Sequence, residues 1–284
     1  MALKYAALLC TLHNAAAGVG TALPPYKHRR GFFARGGGFA VGVDTGPSEE
    51  IEALAGESFD WLANLGAPAA LVAGAVIATM IDQADFLKTT KKDTKLWARF
   101  TKRAAHILLI SAFALSVFSI FATTVTGTML KSLGDRDIAE EYEETISPMG
   151  FLHKNLPFEF LISRFSFLQG LLHWIAGVAL MYIGNAPAAG GKASTKMFYF
   201  IGTSLMSALL LMIAFLNKHM NFYASYLHMI ADFHVQFFRQ YFLCTPMRPM
   251  AWCALGVFAL SCKYFYEAIM AEDDDDEDHG GKRE

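Results

Sequence analysis

Ala69-Ala70-Leu71-Val72-Ala73-Gly74-Ala75-Val76-Ile77-Ala78-Thr79-Met80-Ile81-Asp82 is the stretch on which the reading of this chain turns. It carries no charge until its last residue, a carboxylate. A helix that crosses a bilayer needs about 20 mostly apolar residues. Residues 65–87 around this stretch meet that need. So do residues 104–129, 158–183 and 197–216. Lipid offers no hydrogen bonds, so the backbone of each segment pairs within itself as a helix. The expected fold is all-α: a multi-spanning membrane protein with four transmembrane helices. Residues 250–270 form a fifth hydrophobic stretch, but its clean core, 251–262, ends before Lys263 and Glu267. It reads as an interfacial or re-entrant helix, with a fifth span as the alternative.

Composition agrees. Of 284 residues, 54% are hydrophobic and 18% charged, with a mean hydropathy of +0.32. Soluble domains carry about 25% charged residues. A net charge of −2 argues against a nucleic-acid partner held on a basic face. Cys10, Cys244, Cys253 and Cys262 form no CxxC pair and no zinc-ligand spacing.

The spans divide the chain. Residues 1–60 read as a flexible N-terminal arm, basic up to Asp44 through Lys4, Lys27, Arg29, Arg30 and Arg35. A targeting segment is the alternative, although His13 and Asn14 interrupt its apolar part. Residues 61–243 form the four-helix membrane domain, 244–271 the additional hydrophobic helix, and 272–284 an acidic tail. That tail reads as solvated, with weak Ca²⁺ binding or a basic partner as alternatives.

Ionisable groups are costly in lipid, so each one in a span raises a functional question. Stepping back from Asp82 by three or four residues gives Ala78, Ala75, Leu71 and Ala67, all on one helix face. Several such helices around an axis would make a narrow apolar pipe with carboxylates at its mouth. Cation filters use such rings, and crowded carboxylate oxygens suit Ca²⁺. The plainer reading is an interfacial acid that ends a span. Small residues around Gly74 let helices approach closely, which fits an inner helix.

Arg164 and His173 lie in the third span and His106 begins the second. No opposed histidine pair is evident, so interhelical hydrogen bonds are the expected role. Residues 218–242 read as an amphipathic helix that continues the fourth span outward. Within it only His228 and Asp232 have the i, i+4 spacing of a metal pair. No HExxH motif or paired acids support a membrane enzyme, and none is expected.

Three stretches share one further pattern. The first is Ala70-Leu71, Gly74 and Met80-Ile81-Asp82. The second is Leu108-Leu109-Ile110, followed by the Thr/Ser/Met-rich end 123–129. The third is Phe158-Glu159-Phe160-Leu161, then Phe165-Ser166, Gly170, Leu172, Ala176, Val178 and Leu180. Over about residues 65–240 the chain thereby resembles the Orai family of store-operated calcium channels. The resemblance implies a plasma-membrane hexamer whose first helices line one pore for Ca²⁺, with no bound cofactor. Asp82 takes the filter position, where it would hold Ca²⁺ transiently. Ala78, Ala75 and Leu71 take the apolar pore positions, Ala67 lines the pore below them, and Gly74 is the glycine beside the gate. The partner implied is a STIM-type calcium sensor of the endoplasmic reticulum, bound to the 218–242 helix.

The chain also departs from that family. Its filter acid is Asp rather than Glu. Phe59, Ala63 and Ala67 stand where the family's pore helix is basic, and Gly177 replaces an acid of the third helix. The family has no counterpart of 250–270. Its first loop is external, yet here that loop holds Lys88, Lys91, Lys92, Lys95, Arg99, Lys102 and Arg103 against Asp93. The positive-inside rule puts such a loop in the cytosol, and the acidic 127–157 connection outside. A non-conducting membrane scaffold or accessory subunit, suggested by the acidic tail and the amphipathic 218–242 segment, is the competing expectation.

Overall fold

A computed structural model describes residues 49–87, 96–131, 147–220, 222–243 and 249–270. The arm up to residue 48, the 88–95 part of the basic loop, the acidic stretch 132–146 and the tail beyond 270 lie outside the described residues. The elements are α1 (Glu49–Asp82), α2 (Ala84–Leu87), α3 (Leu96–Lys131), α4 (Pro148–Asn155) and α5 (Pro157–Asn185). After a 3-10 turn come α6 (Lys192–His219), α7 (Tyr226–Phe238), a π-helical turn (Arg239–Leu243) and α8 (Pro249–Met270). No strand occurs among the described residues.

Four helices are long and apolar enough to cross a membrane: Ala53–Asp82, Trp97–Lys131, Pro157–Ala188 and Lys192–His219. The chain is a multi-pass, all-α membrane protein. The helix boundaries differ from the sequence reading at two places. Residues 49–60, assigned above to the arm, are the first turns of α1. Ala55, Ser58 and Leu62 are buried there at helical spacing, so tertiary packing outweighs the acids around them. The fourth span also does not run on as one extended helix. It ends at His219, and α7 starts afresh at Tyr226. Two polar side chains explain the break: the Tyr226 N–H donates to Asn217 Oδ1 and the His228 N–H donates to Ser225 Oγ. These bonds cap a new helix start.

The described residues fall into two compact units. Unit one takes the chain up to Val72, then 115–168 and 213–232. Its core is aromatic. Trp61 stacks on Phe160 at 5.3 Å, Phe222 meets Phe160 edge-on at 5.6 Å, and His153 stacks on Phe222 at 4.7 Å. Lys131 lies 4.2 Å from the centre of the Phe59 ring, a cation–π contact at the end of α3. The Ser58 hydroxyl donates to the Pro148 carbonyl, which ties α1 to α4. In α4 itself, Ser147 accepts from the Gly150 N–H and Pro148 fills the first turn.

Unit two takes 73–114, 169–212 and the chain from Phe233 onward. Glycines set its close approaches. A Cβ on Gly177 would lie 3.0 Å from Leu109 Cγ and 3.3 Å from the Ala105 carbonyl. One on Gly202 would lie 2.6 Å from Ile183 Cγ1 and 2.9 Å from the Ala179 carbonyl. A side chain at Gly177 would thus require Leu109 or the Ala105 carbonyl of α3 to give by a few tenths of an ångström.

Two glycine substitutions separate packing from helix propensity. Gly202→Val should destabilise the folded chain by about 1–3 kcal/mol through overpacking. Gly74→Ala meets open space and should raise stability by about 1 kcal/mol or less, from propensity alone. Thermal unfolding in detergent checks both, with a lowered midpoint for the first and an unchanged or raised one for the second.

Candidate pore face and polar groups of the spans

Hydrogen bonding and burial fix the rotation of α1. Leu62, Ala69, Ala73 and Val76 are buried along one side. In unit two the Trp174 indole N–H donates to Thr79 Oγ1 at 3.3 Å, across 95 residues of sequence. The Thr79 hydroxyl in turn donates to the Ala75 carbonyl at 2.8 Å. This pair pins the end of α1 to α5. In unit one, Gly66 brings α1 against Thr123, whose Oγ1 would lie 2.8 Å from an added Cβ.

Among the described residues the opposite side of α1 is left uncovered. Ala67, Leu71, Gly74, Ala78 and Asp82 are all exposed, and Leu71 is 77% so. Ala75 is half-buried. An added Cβ on Gly74 would meet nothing within 4 Å. The residues singled out by the face argument therefore lie together on one open stripe, apart from the half-turned Ala75. Asp82 closes α1, and Gln83 follows with its N–H on the Thr79 carbonyl.

Of the other ionisable groups singled out in the spans, Arg164 and His173 are half-buried, and His106 is exposed rather than turned to a neighbouring helix. His173 forms the interhelical bond expected of it, through Nδ1 to Ser111 Oγ at 2.8 Å. One proton assignment satisfies its neighbours. The Ser111 hydroxyl donates to the Leu108 carbonyl, so the His173 Nδ1–H donates to Ser111 Oγ. The Gln169 amide then donates to Nε2. This histidine is a structural link between α3 and α5. Arg164 packs 5.9 Å from the Phe160 ring, and its Nη1 finds no hydrogen-bond partner among the described residues. Lys102, counted above with the basic loop, is only 2% exposed and packs on Gly184, whose added Cβ would lie 3.1 Å from Lys102 Cγ.

Outside the spans, His228 and Asp232 form an i, i+4 pair at 3.4 Å, as their spacing suggested. Burial pushes the Asp232 carboxyl up from its ordinary value, and His228 pulls it partly back. His234 does not join them, and no group of three metal-ligating side chains occurs among the described residues. Burial and the Asp232 charge push the Tyr223 phenol well up, while Arg164 opposes them.

Sequence reasoning did not find Trp174 or His153. Thr79 was the available signal for Trp174, because a hydroxyl in an apolar span seeks a partner. His153 carried no spacing signal; it matters through its rings. Comparison with protein-family models, with curated proteins and with solved structures gave no match.

His153 predicts a pH dependence. Burial lowers its pKa below 6.5 in the folded chain. Its contribution is complete above the unfolded value and is lost as pH falls through 6.5 toward the folded one. His153→Phe keeps the stack on Phe222 and removes the titration. The variant should lose less melting temperature than the parent between about pH 7 and pH 5, the range around an ordinary histidine. An equal loss in both would refute the assignment.

Proposed function

We propose that the chain is the pore-forming subunit of a homo-oligomeric, Ca²⁺-selective channel of the store-operated type, with Asp82 as its filter. The carrying observation is the open stripe Ala67, Leu71, Gly74, Ala78 and Asp82 on α1, beside a buried opposite side. Among the described residues nothing covers that stripe. Lipid is a poor cover for it, since small side chains give acyl chains little to pack on while suiting close helix approach. An ionised carboxylate near a span is more stable where it meets water. A ring of α1 helices meets both needs, with methyl groups along a narrow pore and carboxylates at its wet end. The resemblance to the Orai family in α1 and α5 points the same way and supplies the plasma membrane, the hexamer and the sensor partner. The segment that would meet the sensor is α7 rather than one helix over 218–242, and it exposes Leu227, Val235 and Phe238.

Gly177 departs from the family for a reason of packing: a larger residue there would strike Leu109 and the Ala105 carbonyl. That departure leaves the pore helix untouched. Asp for Glu at the filter shortens the side chain by one methylene and widens the ring.

The test is Ca²⁺ current after store depletion in cells expressing the chain with a STIM-type sensor. Asp82→Ala should abolish the Ca²⁺-selective current, Asp82→Asn should remove its selectivity, and Asp82→Glu should retain both. Surface labelling confirms delivery of each variant. A current unchanged in Asp82→Ala and Asp82→Asn sinks the proposal. So does a purified protein that runs as a monomer or only with unlike subunits, which is what a scaffold would give.

A further inference from the structure

α8 belongs to none of the four spans, and the channel family that the chain resembles has no counterpart of it. Among its described side chains only Ala251 is partly covered; all the others are exposed. Met250 is 79% exposed, and Val257 and Phe258 are 65%. At 3.6 residues per turn, Leu255, Val257, Phe258 and Leu260 point in directions spread round the whole axis. A helix that is apolar on every side sits in a protein core or in a membrane. No core covers α8. Its ring contact to the preceding segment, Trp252 edge-on to Phe242 at 5.2 Å, lies at its first turn.

Its dimensions match hydrocarbon. The 22 residues of α8 extend about 33 Å at about 1.5 Å each, against about 30 Å of bilayer core. Its charges are placed to tolerate lipid. Lys263 and Glu267 lie one turn apart in the last third and pair at 3.6 Å. The Lys263 stem can carry its ammonium toward the near end of the helix. Tyr264 and Tyr266 stand beside that pair, and Trp252 stands near the other end. Amphipathic rings favour both membrane–water boundaries. The four spans already hold the chain in the bilayer, so α8 starts within reach of it.

We propose that α8 is a fifth membrane-crossing helix, covered by lipid acyl chains, with its two ends on opposite sides of the bilayer. This placement does not depend on the channel reading. It replaces the expectation of an interfacial or re-entrant helix with the alternative of a fifth span, because the apolar surface runs all the way round.

The experiment uses the full chain in cell membranes, with one epitope inserted in 244–248 and, in a second version, one after Glu284. Antibody access before and after permeabilisation locates each. Opposite sides are expected, and the same side for both overturns the proposal. A second measurement avoids the insertion. Leu260 lies at the middle of α8, on the face of Lys263 and Glu267. In a chain with Cys10, Cys244, Cys253 and Cys262 replaced by Ser, Leu260→Cys is treated with a charged maleimide supplied to both sides. Labelling should be about tenfold or more below that in denaturing detergent, since the charged thiolate forms only where water reaches it. Labelling close to the denatured level would place that face in water, as in a helix lying at the interface, and overturns the proposal.

Discussion

Lipid supplies no hydrophobic drive between helices, so the spans of this chain are held by how closely their backbones can meet. In unit two the meeting points are glycines. Gly202 of α6 sits over the Ala179 carbonyl of α5, while Gly177 and Gly184 of α5 sit against Leu109 and Lys102 of α3. A Cβ would clash outright at Gly202 and crowd its neighbours at Gly177 and Gly184. α5 is thereby approached by α3 and α6, and it offers Trp174 to Thr79 of α1 as well. The polar bonds of α5 follow from this closeness: His173 reaches Ser111 only because the α3 and α5 backbones are near. Packing and hydrogen bonding are one constraint here, and the exposed stripe of α1 is what they leave over.

Much of this was legible in the sequence, for a physical reason. A bilayer permits few structures, so an apolar run of sufficient length declares a helix with no knowledge of its partners. Helix ends were less legible. Residues 49–60 carry Glu49, Glu50, Glu52, Glu57 and Asp60, which hide a helix from any hydropathy reading. Ala55, Ser58 and Leu62 at helical spacing held the contrary signal, because all three are buried. The break after His219 was hidden differently. It rests on Asn217 accepting a bond from Tyr226, nine residues away, and no local preference announces that. The face of α1 was legible because small residues and one acid recur at helical spacing. What fixes its rotation was not, since Thr79 and Trp174 lie 95 residues apart.

The basic connection after α1 also reads differently once its residues are placed. Of the seven basic side chains counted there, Arg99, Lys102 and Arg103 belong to α3. Lys102 is almost wholly buried and serves as packing against Gly184. Lys88, Lys91, Lys92 and Lys95 remain as the connection's own charge, with Asp85 and Asp93 against them. The rule that keeps basic segments in the cytosol counts charges near span ends, so it still favours a cytosolic connection, which places α7 across the membrane from a cytosolic sensor and stands against that part of the proposed function.

The parity of the crossings carries that point further. With four spans, the chain after α6 returns to the side from which α1 started. With α8 crossing as well, the C-terminus emerges on the other side, which is the side of the 88–95 connection and of Asp82. The acidic run Glu272-Asp273-Asp274-Asp275-Asp276-Glu277-Asp278 then shares an aqueous compartment with Lys88, Lys91, Lys92 and Lys95. Exposed charges act over about 8–10 Å at physiological salt, so opposite runs on one side offset each other wherever they come that near. If α8 crosses and the channel reading holds, the fifth helix would bring the tail's negative charge to the side where a cation passes Asp82.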